Sequence, residues 1–463
     1  MMKFRLPCAL LAFAWALNTP PALPAQTPAP SPVAFVDVNV VPMDRERVLE
    51  RQTVIVRNGR IAAMGPVGRT AVPAGAQRVD GRGKYLMPGL AEMHAHIPPP
   101  QAGGEVVERT LFLYLANGIT TIRGMLGHPG HLELRRQTLS GQVLGPRIYT
   151  SGPSLNGNSA KTPEVAERMI TEQKAAGYDF LKLHPGLSRP VYDAIVATGN
   201  RAGMAWAGHV SADVGLQRAL ETRQKSIDHL DGYVEALATA RSGNPGFFGF
   251  NWTAQLDESR IPALAAATRA AGVWNVPTQS LLEHLAGPED ADALARRPEM
   301  RYMPPQTVAQ WVKAKRDFQQ QPTATPENSR RFIETRRRLI RALHDAGAGL
   351  LLGSDAPQIF NVPGFAIHHE LQTLVASGLT PYQALATGTR NVATYFGTEK
   401  ESGTVETGKV ADLLLLNANP LTDVRNVQRR AGVMVRGRWL PESEIQKRLE
   451  AIAASVRGAS RPS

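Results

Sequence analysis

The chain has 463 residues, too many for one small domain and enough for an α/β barrel of roughly 250 residues or more plus an accessory domain. Apolar residues at 43% and charged residues at 20% are ordinary globular values and exclude disorder for most of the length. The 41 glycines and 35 prolines follow no fixed period, which excludes collagen-like and solenoid folds, and the net charge of +12 admits anionic partners.

In chain order, the first segment reads as a targeting signal. Lys3 and Arg5 precede an apolar run from Cys8 to Leu17, and small residues follow to Ala25. Cleavage after Ala25 is expected, giving a periplasmic or secreted protein that starts near Gln26. Residues 26–32 read as a flexible lead-in. Cys8 is the only cysteine, so the mature chain has no thiol for disulfides, zinc–thiolate sites or nucleophilic catalysis. The signal carries two basic and no acidic residues, so its loss takes the net charge from +12 to +10. Beyond it no apolar stretch reaches the roughly 18 residues of a membrane span, and stable membrane insertion is not expected.

Residues 33–86 then show β-type alternation, with a turn at Asn58-Gly59. From residue 87 to about 400, eight short apolar runs alternate with amphipathic helical stretches: 89–97, 119–125, 147–155, 179–186, 204–211, 226–232, 273–282 and 350–357. Helices are expected over Val106–Ala116, Glu164–Ala176, Pro190–Ala202, Ile261–Ala271 and Asn328–Ala346. Gly118, Gly177, Gly203 and Gly272 stand where helix C-caps belong. The pattern predicts a parallel (β/α)8 barrel. Residues 236–260 and 284–327, rich in Gly, Pro and aromatics, read as loops over its mouth. The basic run Arg330–Arg341, interleaved with Phe332, Ile333, Leu339 and Ile340, reads as the solvated face of a helix; no nucleic-acid partner is expected. Residues 401–445 return to β-type alternation, with turns at Thr407-Gly408 and Arg436-Gly437. Neither flank has enough strands for a core, so together they are expected to form a small β-sandwich.

The chemistry-bearing residues fall at the carboxyl ends of the runs, where barrel active sites lie. His94 and His96 stand two apart on the first run, so their imidazoles share a face and suit a divalent metal. Lys182, His209, His229 and Asp355 end the fourth, fifth, sixth and eighth runs. Taken singly each has a plainer reading: incidental or packed histidines, a lysine paired to a buried acid, an aspartate capping a helix. Their recurrence at one barrel end favours metal ligation. Burial would favour a neutral Lys182, which could react with carbon dioxide to give a metal-bridging carbamate.

These residues resemble the amidohydrolase superfamily. PGLAEMHAHI (88–97) is similar to its opening metal motif, DFLKLHPG (179–186) to its carboxylated-lysine strand, GHV (208–210) and IDHL (227–230) to its next histidines, and GSDAP (353–357) to its aspartate. The tail, TPYQALATGTRNVATYFG, SGTVETGKVADLLLLNANPL and VMVRGRWL, resembles the imidazolonepropionase-like branch. That branch includes two-metal dipeptidases and enzymes that cleave ochratoxin-type amides. The resemblance implies two Zn2+ ions: His94, His96 and Asp355 on one, His209 and His229 on the other, carboxylated Lys182 between them. Other divalent metals stay open. It implies hydrolysis of a small-molecule amide or dipeptide, with Asp355 moving the proton. Many relatives in the branch carry tyrosine where this chain has His184; His184 and Arg123 are expected to contact substrate, Arg123 through its carboxylate. His128 and His131 are expected as surface residues, His368 and His369 as structural ones. A homo-oligomer is left open. Two alternatives compete: a mononuclear deaminase or cyclic amidohydrolase of the same superfamily, and a non-catalytic periplasmic binding protein. Deaminases typically carry a glutamate close after the fifth-strand histidine, where this chain has Val210, Ser211 and Ala212.

Overall fold

In the computed structural model, residues 31–458 are described. The expected signal peptide, residues 1–25, lies outside them. The N-terminal flank forms β1 (Val33–Val40), β2 (Leu49–Arg57), β3 (Arg60–Pro66), β4 (Gln77–Asp80) and β5 (Tyr85–Pro88). Asn58 and Gly59, both at positive φ, make the tight turn between β2 and β3.

Eight parallel strands follow: β6 (Leu90–Ala95), β7 (Ile119–Gly124), β8 (Arg147–Thr150), β9 (Leu181–Leu183), β10 (Trp206–Gly208), β11 (Ser226–Asp228), β12 (Trp274–Val276) and β13 (Gly349–Leu350). β6–β8 form one ladder and β9–β13 another. Parallel bridges Ser151↔Phe180 and Leu155↔Leu183 join them on one side, and Ala95↔Ala356 closes the ring on the other. The period of two sorts the side chains. On β9, Leu181 and Leu183 pack outward with Ala166, Ile170, Val191, Tyr192 and Ile195 of the helices Pro163–Ala176 and Arg189–Ala202. Lys182, between them, is turned into the barrel.

The C-terminal strands β14 (Leu413–Leu416), β15 (Arg430–Val435) and β16 (Arg438–Pro441) join the N-terminal ones in an eight-stranded mixed sheet, ordered β16-β15-β14-β5-β1-β2-β3 with β4 also on β1. In a flat sheet β1 and β16 would lie about 19 Å apart, four spacings of ~4.8 Å. Instead Phe35 of β1 meets Trp439 of β16 edge to face at 5.1 Å. The sheet therefore folds over itself as the expected sandwich. Its inner layer holds Val33, Phe35, Val54, Val56, Leu413, Leu415 and Met434. Leu414 and Leu416, on the opposite face of β14, belong to the same hydrophobic cluster as the barrel and its helices.

The stretches read as mouth loops hold more helix than expected. Pro305–Gln319 is a 15-residue helix, its buried residues Trp311, Lys315 and Phe318 at helical spacing. The run 273–282 is strand only over Trp274–Val276, and a helix begins at Gln279.

Candidate metal centre

The barrel brings the six expected ligand positions together. His94 and His96 leave the end of β6, where the register with β7 shifts between Glu92 and Ala95. Such an irregularity re-aims side chains. Asp355 follows β13 at φ 61 and His229 follows β11 at φ 63, left-handed conformations costly for residues other than glycine. Ligand atoms of His94, His96 and Asp355 all lie within 4.8 Å of one another. His96 Nε2 is 2.6 Å and His94 Nε2 3.4 Å from Asp355 Oδ1. His229 Nε2 reaches to 4.0 Å of the other carboxylate oxygen. The rings of His94 and His229 are 4.6 Å apart and those of His209 and His229 4.7 Å.

Second contacts orient the imidazoles. His209 Nδ1 pairs with Asp231 Oδ2 at 3.0 Å, an oxygen that also accepts from Val210 N–H. His229 Nδ1 pairs with Thr278 Oγ1 at 2.8 Å. Both rings thus present Nε2 to the shared space, the arrangement metal-binding histidines require. Burial pushes His209 down to about 3 and His94 and His229 well below the usual imidazole value. Neutral imidazoles are the ligating form.

Lys182 is fully buried, its Nζ 3.6 Å from Asp228 Oδ2. Burial lowers its pKa, more than the neighbouring acids raise it. Lys182 Nζ, His94 Nδ1 and Asp228 Oδ2 are buried without a hydrogen-bond partner; the last two are 3.1 Å apart but misaligned for a hydrogen bond. A donor set of neutral imidazoles, a carboxylate and an amine without a hydrogen bond fits divalent metal.

Arg123 does not stand at the mouth. It is wholly buried, donating to Met93 O (2.7 Å), Ser226 Oγ (2.8 Å), Tyr395 Oη (2.8 Å) and Asp228 Oδ1 (3.0 Å). Its guanidinium also lies over the rings of Phe180 and Tyr395. It serves as counter-ion to Asp228, and the substrate contact expected of it is corrected. Asp228 itself was missed from sequence. Its only signal is its place beside His229 on a strand whose alternate residue, Ile227, packs outward.

His184 does enter the site, its ring 5.2 Å from that of His209. Burial and then Lys182 push its pKa down to about 3, so it offers a neutral imidazole rather than a positive charge. His131, expected at the surface, is buried, with Nε2 at 3.3 Å from Pro98 O and Nδ1 accepting from His128 N–H. His128 is half-buried beside it. His368 is buried against Asn117, and His369 pairs with Glu299.

Beside the centre lies a cavity of about 1230 Å³. His209 and Asp231 line one part, Phe247, Phe248 and Trp252 another, and Arg241 and Arg260 stand on it as well.

Three comparisons bear on identity. A crystal structure from Bifidobacterium longum, provisionally assigned as a prolidase, superposes with a TM-score of 0.68 at 27% identity, covering 92% of this chain and 100% of that one. An adenine deaminase from Mesorhizobium japonicum is 30% identical over 179 residues, 35% of this chain and 29% of the relative. An imidazolonepropionase from Mycolicibacterium smegmatis is 25% identical over 269 residues, 48% of this chain and 65% of the relative. The chain thus spans about a third of the deaminase and less than two thirds of the imidazolonepropionase. The amidohydrolase family profile matches residues 85–440, from β5 through the barrel to β16, and with the ligand positions gathered inside that span the chain belongs to the amidohydrolase family of metal-dependent hydrolases.

Proposed function

We propose that this protein is an exported hydrolase of a linear amide or peptide bond, of the N-acyl amino acid or dipeptide class, working with two divalent metal ions, zinc first among them. The observation that carries the reading is the convergence of four imidazoles, Asp355 and a buried amine without a hydrogen bond at the carboxyl end of one barrel. His94, His96 and Asp355 would hold one ion, His209 and His229 the other. Lys182 would join them as a carbamate: the neutral amine forms an N–C bond to carbon dioxide and releases one proton. Metal held by these ligands would polarise a carbonyl and acidify water. Asp355, hydrogen-bonded to His96, takes the proton of the attacking water and returns it to the leaving nitrogen. Asp231 and Thr278 keep His209 and His229 facing the centre.

A second reading, deamination of an aminopurine, is favoured by the similarity to adenine deaminases. Against it stand the absence of a glutamate at residues 210–212 and the lack of any task for Lys182 in a one-metal scheme. The test is a panel of N-acyl amino acids, dipeptides and aminopurines, with wild type and Lys182→Ala. The reading expects amide cleavage by the wild type, and metal content and activity lost together in the variant, with partial rescue by short carboxylic acids. Ammonia release from an aminopurine without amide cleavage would overturn it. Two retained metals and normal turnover in the variant would overturn the bridge.

A further inference from the structure

We propose that Phe248, carried with Phe247 and Trp252 on the segment after β11, is the specificity-determining wall of the substrate site and selects a large apolar or aromatic side chain next to the scissile bond. This rests on the hydrolytic reading of the metal centre.

The segment is pinned at both ends of its excursion. Ala238 bridges Leu256, and Thr239 N–H donates to Gln255 O. Within it, Phe250 acts as the anchor. Its buried ring meets Phe318 at 4.7 Å and Phe332 at 5.2 Å, edge to face, on the helices Pro305–Gln319 and Pro326–Asp345. Asn328 Nδ2 donates to Phe250 O, Thr323 Oγ1 to Asn251 Oδ1, and Trp252 Nε1 to Ser242 O. Gly249 cannot be replaced cheaply: at φ 77 a Cβ would also fall 2.9 Å from Val234.

With its neighbours fixed, Phe248 is held at φ 51, ψ 44, a left-handed conformation that a bulky residue adopts only when its surroundings force it. Its ring then lies 5.1 Å from that of His229 and 6.1 Å from that of His209, nearly parallel to the latter. Phe247 packs against it at 4.2 Å and stays 45% exposed, on the cavity that His209 also lines. An exposed aromatic surface walling a cavity beside His209 and His229 is a ready contact for an apolar group. Because these contacts hold the wall in place before substrate arrives, little ordering cost falls on binding.

The experiment compares metal-loaded wild type with Phe248→Ala and Phe248→Gly. Substrates are two matched series, N-acyl-phenylalanine against N-acyl-alanine, and Phe-Ala or Ala-Phe against Ala-Ala. Calorimetric binding of N-acetyl-phenylalanine and N-acetyl-alanine runs alongside. The wild type is expected to favour the aromatic member at least tenfold in kcat/KM in one series, and in affinity. Both variants should lose that preference. Phe248→Gly should also keep or raise thermal stability, because glycine relieves the left-handed strain. An equal loss on aromatic and alanine compounds, or no aromatic preference in the wild type, would overturn the proposal. If no amide in the panel is cleaved, the hydrolytic reading fails by itself, while the binding comparison still decides the wall.

Discussion

At the scale of single residues, the same side chain means different things according to what surrounds it. Asp355 is partly open, bonded to His96 and near His94 and His229. It is expected to be needed for chemistry more than for folding. Asp355→Asn should lower kcat by about 10²-fold or more, the scale of acid–base catalysis, with little change in Tm. A variant that unfolds would show that its contacts hold the fold instead. Arg123 carries the opposite expectation. Removing it leaves Asp228 buried beside Lys182 without its full counter-ion: burial pushes that carboxyl up, and Arg123, together with Lys182 and the nearby histidines, holds it below its usual value. Breaking a buried pair from one side costs about 3–5 kcal/mol, so Arg123→Met should lower denaturant stability by that order. Unchanged stability, with a raised KM only for substrates bearing a free carboxylate, would return Arg123 to substrate binding. The gathering of His94, His96, Lys182, His209, His229 and Asp355 was legible in the sequence because they recur toward the carboxyl ends of the apolar runs, in the barrel strands or just beyond them. Asp228 and Asp231 were not, because their roles arise only from neighbours far along the chain.

At the scale of elements, the sixth strand–helix unit departs most from the barrel repeat. β11 is followed by a helix of only five residues, Tyr233–Leu237, and then by the segment carrying Phe247 and Phe248. The turn into that helix carries Asp231, which fixes His209 across the gap from β10. Carboxylates in this relation to a metal-binding histidine contribute about 10–100-fold to metal affinity. Asp231→Ala should weaken competition of the protein against a zinc chelator by that factor while the far-ultraviolet circular dichroism stays native. Unaltered metal affinity would mean that Val210 N–H, rather than His209, is what Asp231 serves. The basic run of residues 330–341 illustrates a partial success of reading by period. A helix was expected over Asn328–Ala346, and one runs over Pro326–Asp345. Arg336 within it, however, is buried rather than solvated, donating to His229 O, Pro277 O and Gln279 Oε1. A guanidinium at helical spacing looks the same in sequence whether it meets water or three carbonyl oxygens.

At the scale of the whole molecule, the sandwich and the barrel share one hydrophobic cluster through Leu414, Leu416, Met87 and Val433. The β-sheet flanks therefore pack on the barrel through a common core. The expected export signal precedes all of this. If the chain is exported, mass spectrometry of the periplasmic or secreted protein should find a start near Gln26 and no thiol; an intact Met1 or Met2 would remove the export proposal. The sequence by itself determined the repeating strand–helix period, the β character of both flanks, and the histidines, lysine and aspartate that recur toward the carboxyl ends of the runs. Those are local properties, written in alternation, capping residues and spacing. Tertiary structure alone decided that Arg123 answers Asp228 instead of a substrate, that His131 is buried, and that Phe248 stands against His209 and His229. Those facts depend on which strand neighbours which and how the sixth unit is interrupted, and closing a ring of eight strands brings together residues that no local pattern relates.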